Sequence, residues 1–547
     1  MARIIRICKL AFVAVVLAAG PLAAKNTESA DDTDLYWKAQ RAELIGRPDV
    51  ALQSYNKLLG KLPESAVAVD RLFDVAVTHG DLPSALKAAR AQQLANNGDA
   101  ALPLIFFVDA WRREDWSSAE QATRWLAERN VFGFITPILD AWVSVAKGKP
   151  GTISNLALRE SDLLTYYSYD QVIFLDLANN NVDSAQRRLS NFPGFGDDYA
   201  RQMAMTAAEH LGRNGDAQYA NSLLHHIGTE PNKFSGKPGA FPAGQALSAL
   251  FSRLSEQLAE QGINDQSLYF ARLAHWIAPD SAFGRMTLAE RLSQRSMTAQ
   301  AATLLNGVAE TRPQWSWVLG SKARTLMADG KDGDALRLIQ TARVTRPNAT
   351  DLALLEAQQL EAKKDLAGAA ALYRKLVEDA DDSGVKNGRA LTFRLLLAQT
   401  LSAQGDWAGS KAALEQALTL NSENAQVLNS LGYGLLEQRE DMKRGLELVS
   451  KAHRLAPKSP AITDSLGWGH YLNKDYAAAV PMLEKAVEGA INDVTINEHL
   501  GDAYWQAGRA IDARYAWRSA LLQAADNQAE RIAAKIDLGW TEANAAP

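Results

Sequence analysis

The sequence predicts an all-α fold, a right-handed superhelical solenoid built from stacked pairs of helices. A Leu-Gly pair recurs three times near the end of the chain, at Leu431-Gly432, Leu466-Gly467 and Leu500-Gly501. The register also steps backward from residue 494 at near-constant intervals, with unit starts at 494, 460, 425, 391, 350, 316, 282 and 248. All but one of these steps are 34 or 35 residues, a period typical of repeats that each form one pair of helices.

Small residues recur at the positions where paired helices would touch. They lie near position eight of each unit and near positions 20 and 27, as with Ala479 and Ala486 or with Ala513 and Ala520. The side chains at a contact set the distance between packed helices, so these positions have to stay small. The period, the Leu-Gly pair and the downstream alanine together resemble the tetratricopeptide repeat.

Residues 1–24 have the pattern of a secretory signal peptide. Arg3, Arg6 and Lys9 precede a short apolar run that ends before the small residues Ala23 and Ala24. The run is too short for a membrane-spanning helix, so we expect cleavage after Ala24 and no transmembrane segment in the mature chain. This predicts a periplasmic protein, with peripheral attachment to the outer membrane left open.

Residues 25–227 predict degenerate helical repeats of the same kind. The register still fits weakly, with unit starts at 32, 66 and 100 and, after an irregular stretch, at 166 and 201. Residues 131–159 hold one helix, followed by a Gly-Lys-Pro-Gly-Thr turn where its partner should begin. The whole chain therefore predicts about 14 helix pairs, of which the N-terminal ones match the pattern least well.

Residues 228–247 predict a linker or loop between the degenerate repeats and the regular array, 248–524. The stretch is rich in Gly and Pro and has no helical period. Three interpretations stay open: an exposed excursion, a hinge between two sub-arrays, or a loop whose Phe234 and Phe241 fold into the concave groove. Residues 525–547 predict a capping helix and a tail, because Ile532, Ile536 and Trp540 are spaced by four.

Composition and motifs favour a protein without catalytic activity. The net charge of −5 and pI near 6.0 argue against a nucleic-acid-binding surface, and the single cysteine, Cys8, lies in the predicted signal peptide. The zinc, phosphate-loop and serine-hydrolase motifs are absent from the sequence, and His225-His226 has no third ligand nearby. We therefore predict no catalytic residue, no metal and no cofactor.

The first helices of the last three units predict a partner-binding groove. In such an array their positions 2, 5, 6, 9, 12 and 13 face the concave side, because positions 7, 8 and 11 are used for packing. Polar and aromatic side chains mix there, as in protein interfaces. The predicted groove residues are Gln426, Asn429, Tyr433, Asp464, Trp468, Tyr471, Glu498, His499, Asp502 and Trp505.

The pattern leaves open how some of these residues are used. Tyr471 and Trp505 could instead pack against the adjacent second helix, whereas Tyr433 and Trp468 share one repeat position and are expected to face the groove. These units have no lysine or arginine at positions 2, 5, 6 or 9, which argues against capture of a free C-terminal carboxylate. The carboxylates favour a basic or amide-rich segment, so charge reversal at Asp464 and Asp502 should weaken binding.

About a hundred residues near the end of the chain carry a more specific resemblance. The motifs Leu-Gly-Tyr at 431, Asp-Ser-Leu-Gly-Trp at 464 and His-Leu-Gly-Asp-Ala-Tyr-Trp at 499 are similar to the C-terminal repeats of a family of secreted bacterial tetratricopeptide proteins. One type in that family is an outer-membrane adaptor lipoprotein for a carboxyl-terminal processing protease, to which it delivers cell-wall hydrolases. The resemblance implies these partners. It leaves as the alternative a structural subunit of an envelope export or secretion assembly, and this sequence lacks the lipid-bearing cysteine.

Overall fold

The structure, a computed structural model, describes residues 30–95, 101–128, 132–154, 162–190, 198–227, 229, 231–382 and 388–546. The predicted signal peptide lies outside these ranges. The described residues form helices, turns and loops without any β-strand. The chain divides into two compact units, Met1–Leu352 and Ala353–Pro547, and the division falls inside one helix.

The first unit contains seventeen helices in the described ranges and the start of an eighteenth. The helices are α1 Ala30–Leu44, α2 Pro48–Lys61, α3 Ala66–His79, α4 Leu82–Leu94, α5 Pro103–Arg112, α6 Trp116–Glu128, α7 Thr136–Ala146, α8 Asp162–Ala178, α9 Val182–Ser190, α10 Asp198–Arg213, α11 Ala217–His226, α12 Ala243–Glu260, α13 Asn264–Ile277, α14 Ala282–Ser293, α15 Thr298–Asn306, α16 Trp315–Ala328 and α17 Asp332–Thr345. A short 3-10 turn, Gly133–Ile135, precedes α7. Helices α12 and α13 pack back onto the N-terminal pairs, since α13 contacts α3 and α5 while α12 contacts α7 and α8.

The second unit is a regular series of helix pairs. Its helices are α18 Thr350–Ala362, which begins three residues before the division, α19 Leu366–Asp382, α20 Gly388–Ala403, α21 Trp407–Leu420, α22 Ala425–Glu437, α23 Met442–Leu455, α24 Pro460–Leu472, α25 Tyr476–Gly489, α26 Val494–Gln506, α27 Ala510–Leu521 and α28 Asp526–Leu538. From α19 onward each helix packs on the next, and α24 also contacts both α22 and α26. The all-α, tetratricopeptide-type paired-helix fold predicted from the sequence is thereby confirmed.

The helix starts follow the predicted register most closely in the regular array. Helices α14, α18, α22, α24 and α26 begin at the predicted residues 282, 350, 425, 460 and 494. Helix α12 begins at Ala243, five residues before the predicted start at 248. Local capping explains the good agreement. The side chains of Asn424, Ser459 and Asp493 each accept a hydrogen bond from the main-chain N–H three residues later, which fixes the first turn of the helix.

The glycines of the Leu-Gly pairs lie where paired helices cross. A Cβ atom at Gly432 would lie 2.9 Å from the carbonyl oxygen of Gly445, and one at Gly467 would lie 2.7 Å from Leu483 Cγ. At Gly501 it would come within 2.3 Å of the Trp517 ring. The inference that position eight must stay small is confirmed at all three positions.

The loop after α11 is anchored by its aromatic residues. Phe241 is buried, with its ring 4.9 Å from the ring of Phe174 and 5.2 Å from that of His210. Phe234 lies over Gly212, where an added Cβ would come within 2.2 Å of its ring. The loop is therefore not wholly exposed. The boundary between the two compact units lies about a hundred residues later, after Leu352, so this loop is not that boundary.

Candidate functional site

The open part of the predicted groove is a cleft of about 580 Å³ in the second unit. Three of the ten predicted groove residues line it: Asn429, Tyr433 and Asp464. Gln426 is exposed in the first turn of α22 but does not line the cleft. The remaining wall comes from α20, α21, α22, α24 and the start of α26, and includes the polar residues Gln399, Ser402, Ser410, Ser430, Ser465 and Thr495.

The cleft is polar and carries only negative charge. Asp464 and Asp493 are its carboxylates, and no lysine or arginine is among the residues that line it. The Oδ1 atom of Asn429 is buried and accepts no hydrogen bond from the described part of the chain. A buried acceptor without a donor costs free energy, so this atom favours a ligand that brings an N–H group.

Trp468 is buried, so the expected exposure of its ring to the groove is wrong. Only 2% of the residue is exposed, and its ring stacks between Tyr471, at 4.4 Å, and His499, at 3.9 Å. Its Nε1 donates a hydrogen bond to Glu437 Oε1 at 2.5 Å. The repeat position correctly places the ring on the inner side of α24, but the neighbouring α26 covers it there.

Tyr433, at the equivalent position of the preceding repeat, is only half-buried and lines the cleft. Burial raises the pKa of its hydroxyl well above the usual value, and the nearby carboxylates of Glu437 and Asp464 add to the effect. The hydroxyl therefore stays protonated, and because its proton is hydrogen-bonded to Glu437, its oxygen is left to accept from a ligand.

His499 and Asp464 form a buried pair beneath the cleft. The Nδ1 atom of His499 lies 3.0 and 3.1 Å from the two carboxylate oxygens of Asp464. Desolvation of the buried ring opposes protonation, but the charge and hydrogen bond of Asp464, with Asp502 and Glu437 behind it, raise the pKa of His499 above its usual value. The ring of His499 is therefore protonated more readily in the folded protein than in the unfolded chain.

This pair predicts a pH-dependent stability. A His whose pKa is raised by folding stabilises the folded state fully below its unfolded pKa of 6.5, and the contribution disappears as the pH rises through the folded value. We expect the free energy of unfolding lost in His499→Gln to be largest near pH 5.5 and to shrink steadily toward pH 9. Denaturant titrations of both proteins across this range measure it. His225→Gln, at an exposed position, is the matched control. If the free energy of unfolding lost in His499→Gln varies with pH as little as that lost in the control, the pairing with Asp464 is contradicted.

Glu498 and Asp502 do not face an open groove, because the chain's own last helix covers them. The Nζ atom of Lys535 in α28 lies 2.7 Å from Glu498 Oε1 and 2.8 Å from both oxygens of Asp502. Arg531 binds Glu498 through two nitrogens, at 3.0 and 2.7 Å. The prediction that these carboxylates await a partner's basic segment is therefore wrong: that segment belongs to the same chain.

Further contacts complete this buried cluster. Asp502 accepts hydrogen bonds from Trp517 Nε1 at 2.9 Å and from the main-chain nitrogen of Ala546 at 3.0 Å. Burial works against the charge of Glu498, but Arg531 and Lys535 outweigh it and lower the pKa of that carboxyl group. The basic residues at 531 and 535 are spaced like Ile532 and Ile536, and that spacing is the sequence signal that could have revealed the cluster.

Tyr471 and Trp505 pack within the array, which resolves the alternative left open for them. Tyr471 is buried against Trp468 and lies 5.7 Å from the ring of Tyr476 in the next helix. The half-buried Trp505 lies 5.6 Å from the ring of Trp517, and an added Cβ at Gly539 would come within 2.4 Å of it. Neither ring lines the cleft.

Comparison with known proteins matches part of the chain to a repeat family. The tetratricopeptide repeat family matches residues 321–384 and 395–460. A TPR repeat-containing protein of Pseudomonas aeruginosa is 30% identical over 179 residues, which are 32% of this chain and 29% of that protein. The chain therefore spans less than a third of the length of this curated relative.

Solved structures with similar folds include two that extend over most of the chain. The Cut9-Hcn1 hetero-tetramer of the APC/C matches with a TM-score of 0.40 and 14% identity, covering 94% of this chain and 97% of that one. Yeast Tom70 matches with a TM-score of 0.36 and 13% identity, covering 93% and 95%. The TPR protein YrrB, which has an unusual peptide-binding site, matches 36% of this chain and 97% of its own with a TM-score of 0.27 and 18% identity.

Proposed function

We propose that the chain, whose residues 321–384 and 395–460 match the tetratricopeptide repeat family, is a non-catalytic scaffold or adaptor that binds a protein segment in the cleft between α20 and α26. The observation that carries the proposal is the cleft itself, with the unpartnered Asn429 Oδ1 beside hydroxyl groups and the Tyr433 ring. An extended main chain offers N–H donors along its length, which suits a row of acceptors better than any single small molecule does.

The proposed ligand is neutral or basic rather than acidic. The carboxylates of Asp464 and Asp493 are the charged groups lining the cleft. Asp464 is already engaged by His499, so the cleft's negative potential is modest and hydrogen bonding carries most of the recognition. The carboxylates of Glu498 and Asp502, paired with Lys535 and Arg531, take no part in it.

Charge reversal at Asp464 or Asp502 would not test this proposal. Both side chains are buried and paired, so a lysine at either position would disturb folding before it changed binding. Variants at the half-buried wall of the cleft are the proper test.

We expect Asn429→Leu to weaken partner binding about tenfold, because it removes an acceptor and leaves the ligand's N–H group unpaired, at a cost of roughly 1–3 kcal/mol. The measurement is quantitative mass spectrometry of proteins retained by the immobilised protein from an envelope extract, followed by titration of the partner retained most strongly. Gln426→Leu, one turn earlier on the same helix and outside the cleft, is the matched control. Equal retention by both variants would rule out the cleft as the binding site.

We propose further that the protein acts in the periplasm and presents substrates to an envelope protease. The signal-peptide pattern supports the first part, and the resemblance of the last repeats to protease adaptors supports the second. None of the described helices combines the length and the apolarity that crossing a bilayer requires. Sequencing the N-terminus of the protein recovered from cell fractions tests the location. The same retention experiment tests the role, since a protease with cell-wall hydrolases supports an adaptor and export-channel subunits oppose one.

A further inference from the structure

The cleft of the second unit crosses the first helices of four successive pairs, α20, α22, α24 and α26, at a slant. In α20 the lining residues lie in the last part of the helix, within 398–403, and in α22 they lie in its middle, within 429–434. In α24 they lie near the start, within 461–465, and in α26 they lie at the first turn, within 493–496. The cleft therefore has two separate ends, one beside α20 and α21 and the other at the start of α26.

Each of these four helices supplies one hydroxyl group to the cleft. The four residues are Ser402, Ser430, Ser465 and Thr495. The hydroxyl of Ser465 donates to the carbonyl oxygen of Ala461 at 2.9 Å, so its oxygen can accept from a ligand, as the amide oxygen of Asn429 can. Polar groups repeated at the interval of one helix pair suit the main chain of an extended segment, whose N–H and C=O groups recur along its whole length.

The path between the two ends sets the length of such a segment. Packed helices lie roughly 8–10 Å apart, so the three steps from α20 to α26 cover roughly 25–30 Å. An extended chain advances about 3.3 Å per residue, and roughly eight residues therefore join the two ends. A helix is about 10–12 Å wide with its side chains, which is too wide for a cleft of about 580 Å³ spread over this path.

The end beside α21 is apolar. Trp407 is half-buried in the wall there, next to the buried side chain of Leu414. The Trp407 ring rests on α22, because a Cβ atom added at Gly434 would lie 2.1 Å from it. Its Nε1 donates to Glu440 at 2.8 Å, and Glu440 is in turn paired with Lys411. The polar group of this indole is therefore satisfied, and the indole offers apolar surface to the cleft.

The opposite end is acidic. Asp493 is exposed there, and its carboxylate caps α26 by accepting from the main-chain N–H of Ile496 at 3.0 Å. It makes no ion pair within the described part of the chain, and no lysine or arginine lines the described cleft. Asp464, the other carboxylate of the cleft, is paired with His499. Asp493 is thus the carboxylate that a cation on a ligand can still reach.

We infer that the cleft selects an extended segment of about eight residues with an apolar side chain at one end, against Trp407, and a basic side chain at the other, beside Asp493. This inference rests on the binding function proposed for the cleft and adds the two side chains that decide which segment is bound. The residues between them are held through their main chain, so their side chains can vary. Burial of the apolar side chain supplies most of the selectivity, because an exposed ion pair contributes less.

Isothermal titration with blocked octapeptides tests the inference. The probes are acetyl-Leu-Ser-Ala-Ser-Ala-Ser-Ala-Lys-amide and the same residues in reverse order, of which the tighter binder gives the direction of the bound chain. In that probe, Ser in place of Leu should weaken binding about tenfold and Gln in place of Lys about threefold. The shortened acetyl-Leu-Ser-Ala-Lys-amide, in the same order, should also bind about tenfold more weakly, because four residues cannot reach both ends. If the octapeptide binds no better than its Ser form or the tetrapeptide, the inference is overturned.

Variants of the protein assign each end of the cleft. Asp493→Asn removes the charge but keeps a good helix cap, so it should abolish the preference for Lys over Gln. The matched Asp441→Asn, at the exposed cap of α23 outside the cleft, should retain that preference. Trp407→Ala should abolish the preference for Leu over Ser, whereas Tyr515→Ala, at an exposed position on α27, should retain it. Each preference is a ratio measured on one protein, so partial loss of folding does not imitate these results, and preferences that persist in the Asp493 and Trp407 variants would contradict the inference.

Failure of this inference can be told apart from failure of the proposed function. If none of the octapeptides binds while Asn429→Leu still loses the retained partner, the cleft binds a different shape of protein surface and the inference is wrong. If Asn429→Leu also keeps the partner, the cleft is not the binding site and the proposed function is wrong as well.

Discussion

Lys535→Met should destabilise the C-terminal end of the array by about 3–5 kcal/mol, the cost expected when one partner of a buried ion pair is removed. Lys535 is fully buried, and its Nζ atom binds both Glu498 and Asp502. Without Lys535, Glu498 still has its ion pair with Arg531. Asp502, which is fully buried, would keep the hydrogen bonds from Trp517 and Ala546 but would have no positive charge beside it. The effect should be largest for α28, whose docking depends on this lysine.

The local opening of α26 and α28 measures this effect better than a global transition does, because repeat arrays open in parts. Amide hydrogen exchange across these two helices should show the loss of protection. The exposed Lys485→Met on α25 is the control and should change stability by less than about 0.5 kcal/mol. If Lys535→Met costs no more than this control, the buried cluster does not hold the last helix.

The variant should also gain a characteristic pH dependence. An unpaired buried carboxylate has a folded pKa above its unfolded value, so it opposes folding at high pH and ceases to do so once it is protonated. The deficit of Lys535→Met should therefore shrink from pH 8 to pH 5. The double variant Lys535→Met with Asp502→Asn should recover much of the stability at pH 8, since it removes the charge that lost its partner.

The sequence predicted the parts of the fold that repeat. A period of 34 residues fixes which residues of one helix meet the next, so the starts of α22, α24 and α26 and the small residues at 432, 467 and 501 follow from spacing alone. The same argument placed Asn429, Tyr433 and Asp464 on the inner side, where the cleft lies.

The predictions that were wrong concern residues whose surroundings depend on contacts that no repeat period encodes. Position nine places both Tyr433 and Trp468 on the inner side, yet only Trp468 has His499 stacked over its ring. Glu498 and Asp502 are covered because the array ends there and α28 takes the place of another repeat. The contact between α3 and α13, in which Arg272 donates to the carbonyl oxygen of Val77, joins residues 195 apart in sequence, a proximity that local patterns cannot reveal.

Gly501→Ala should destabilise the last helix pair by about 2 kcal/mol, although alanine is the better helix former. The added Cβ would lie 2.3 Å from both Cδ1 and Nε1 of Trp517, whose ring is fully buried and cannot move aside without losing its hydrogen bond to Asp502. The steric effect therefore outweighs the gain of roughly 0.8–1 kcal/mol that alanine brings to an unhindered helix.

The same substitution at Gly60 should have the opposite sign. Gly60 lies in α2 with an ordinary helical backbone, and a Cβ there meets no atom within 4 Å. Gly60→Ala should thus stabilise its helix by roughly 0.5–1 kcal/mol. Amide hydrogen exchange of α26 in one variant and α2 in the other compares the two effects directly. Stabilisation in both would show that α26 and α27 can separate to admit a side chain, and the requirement for a small residue at position eight would then not hold for this repeat.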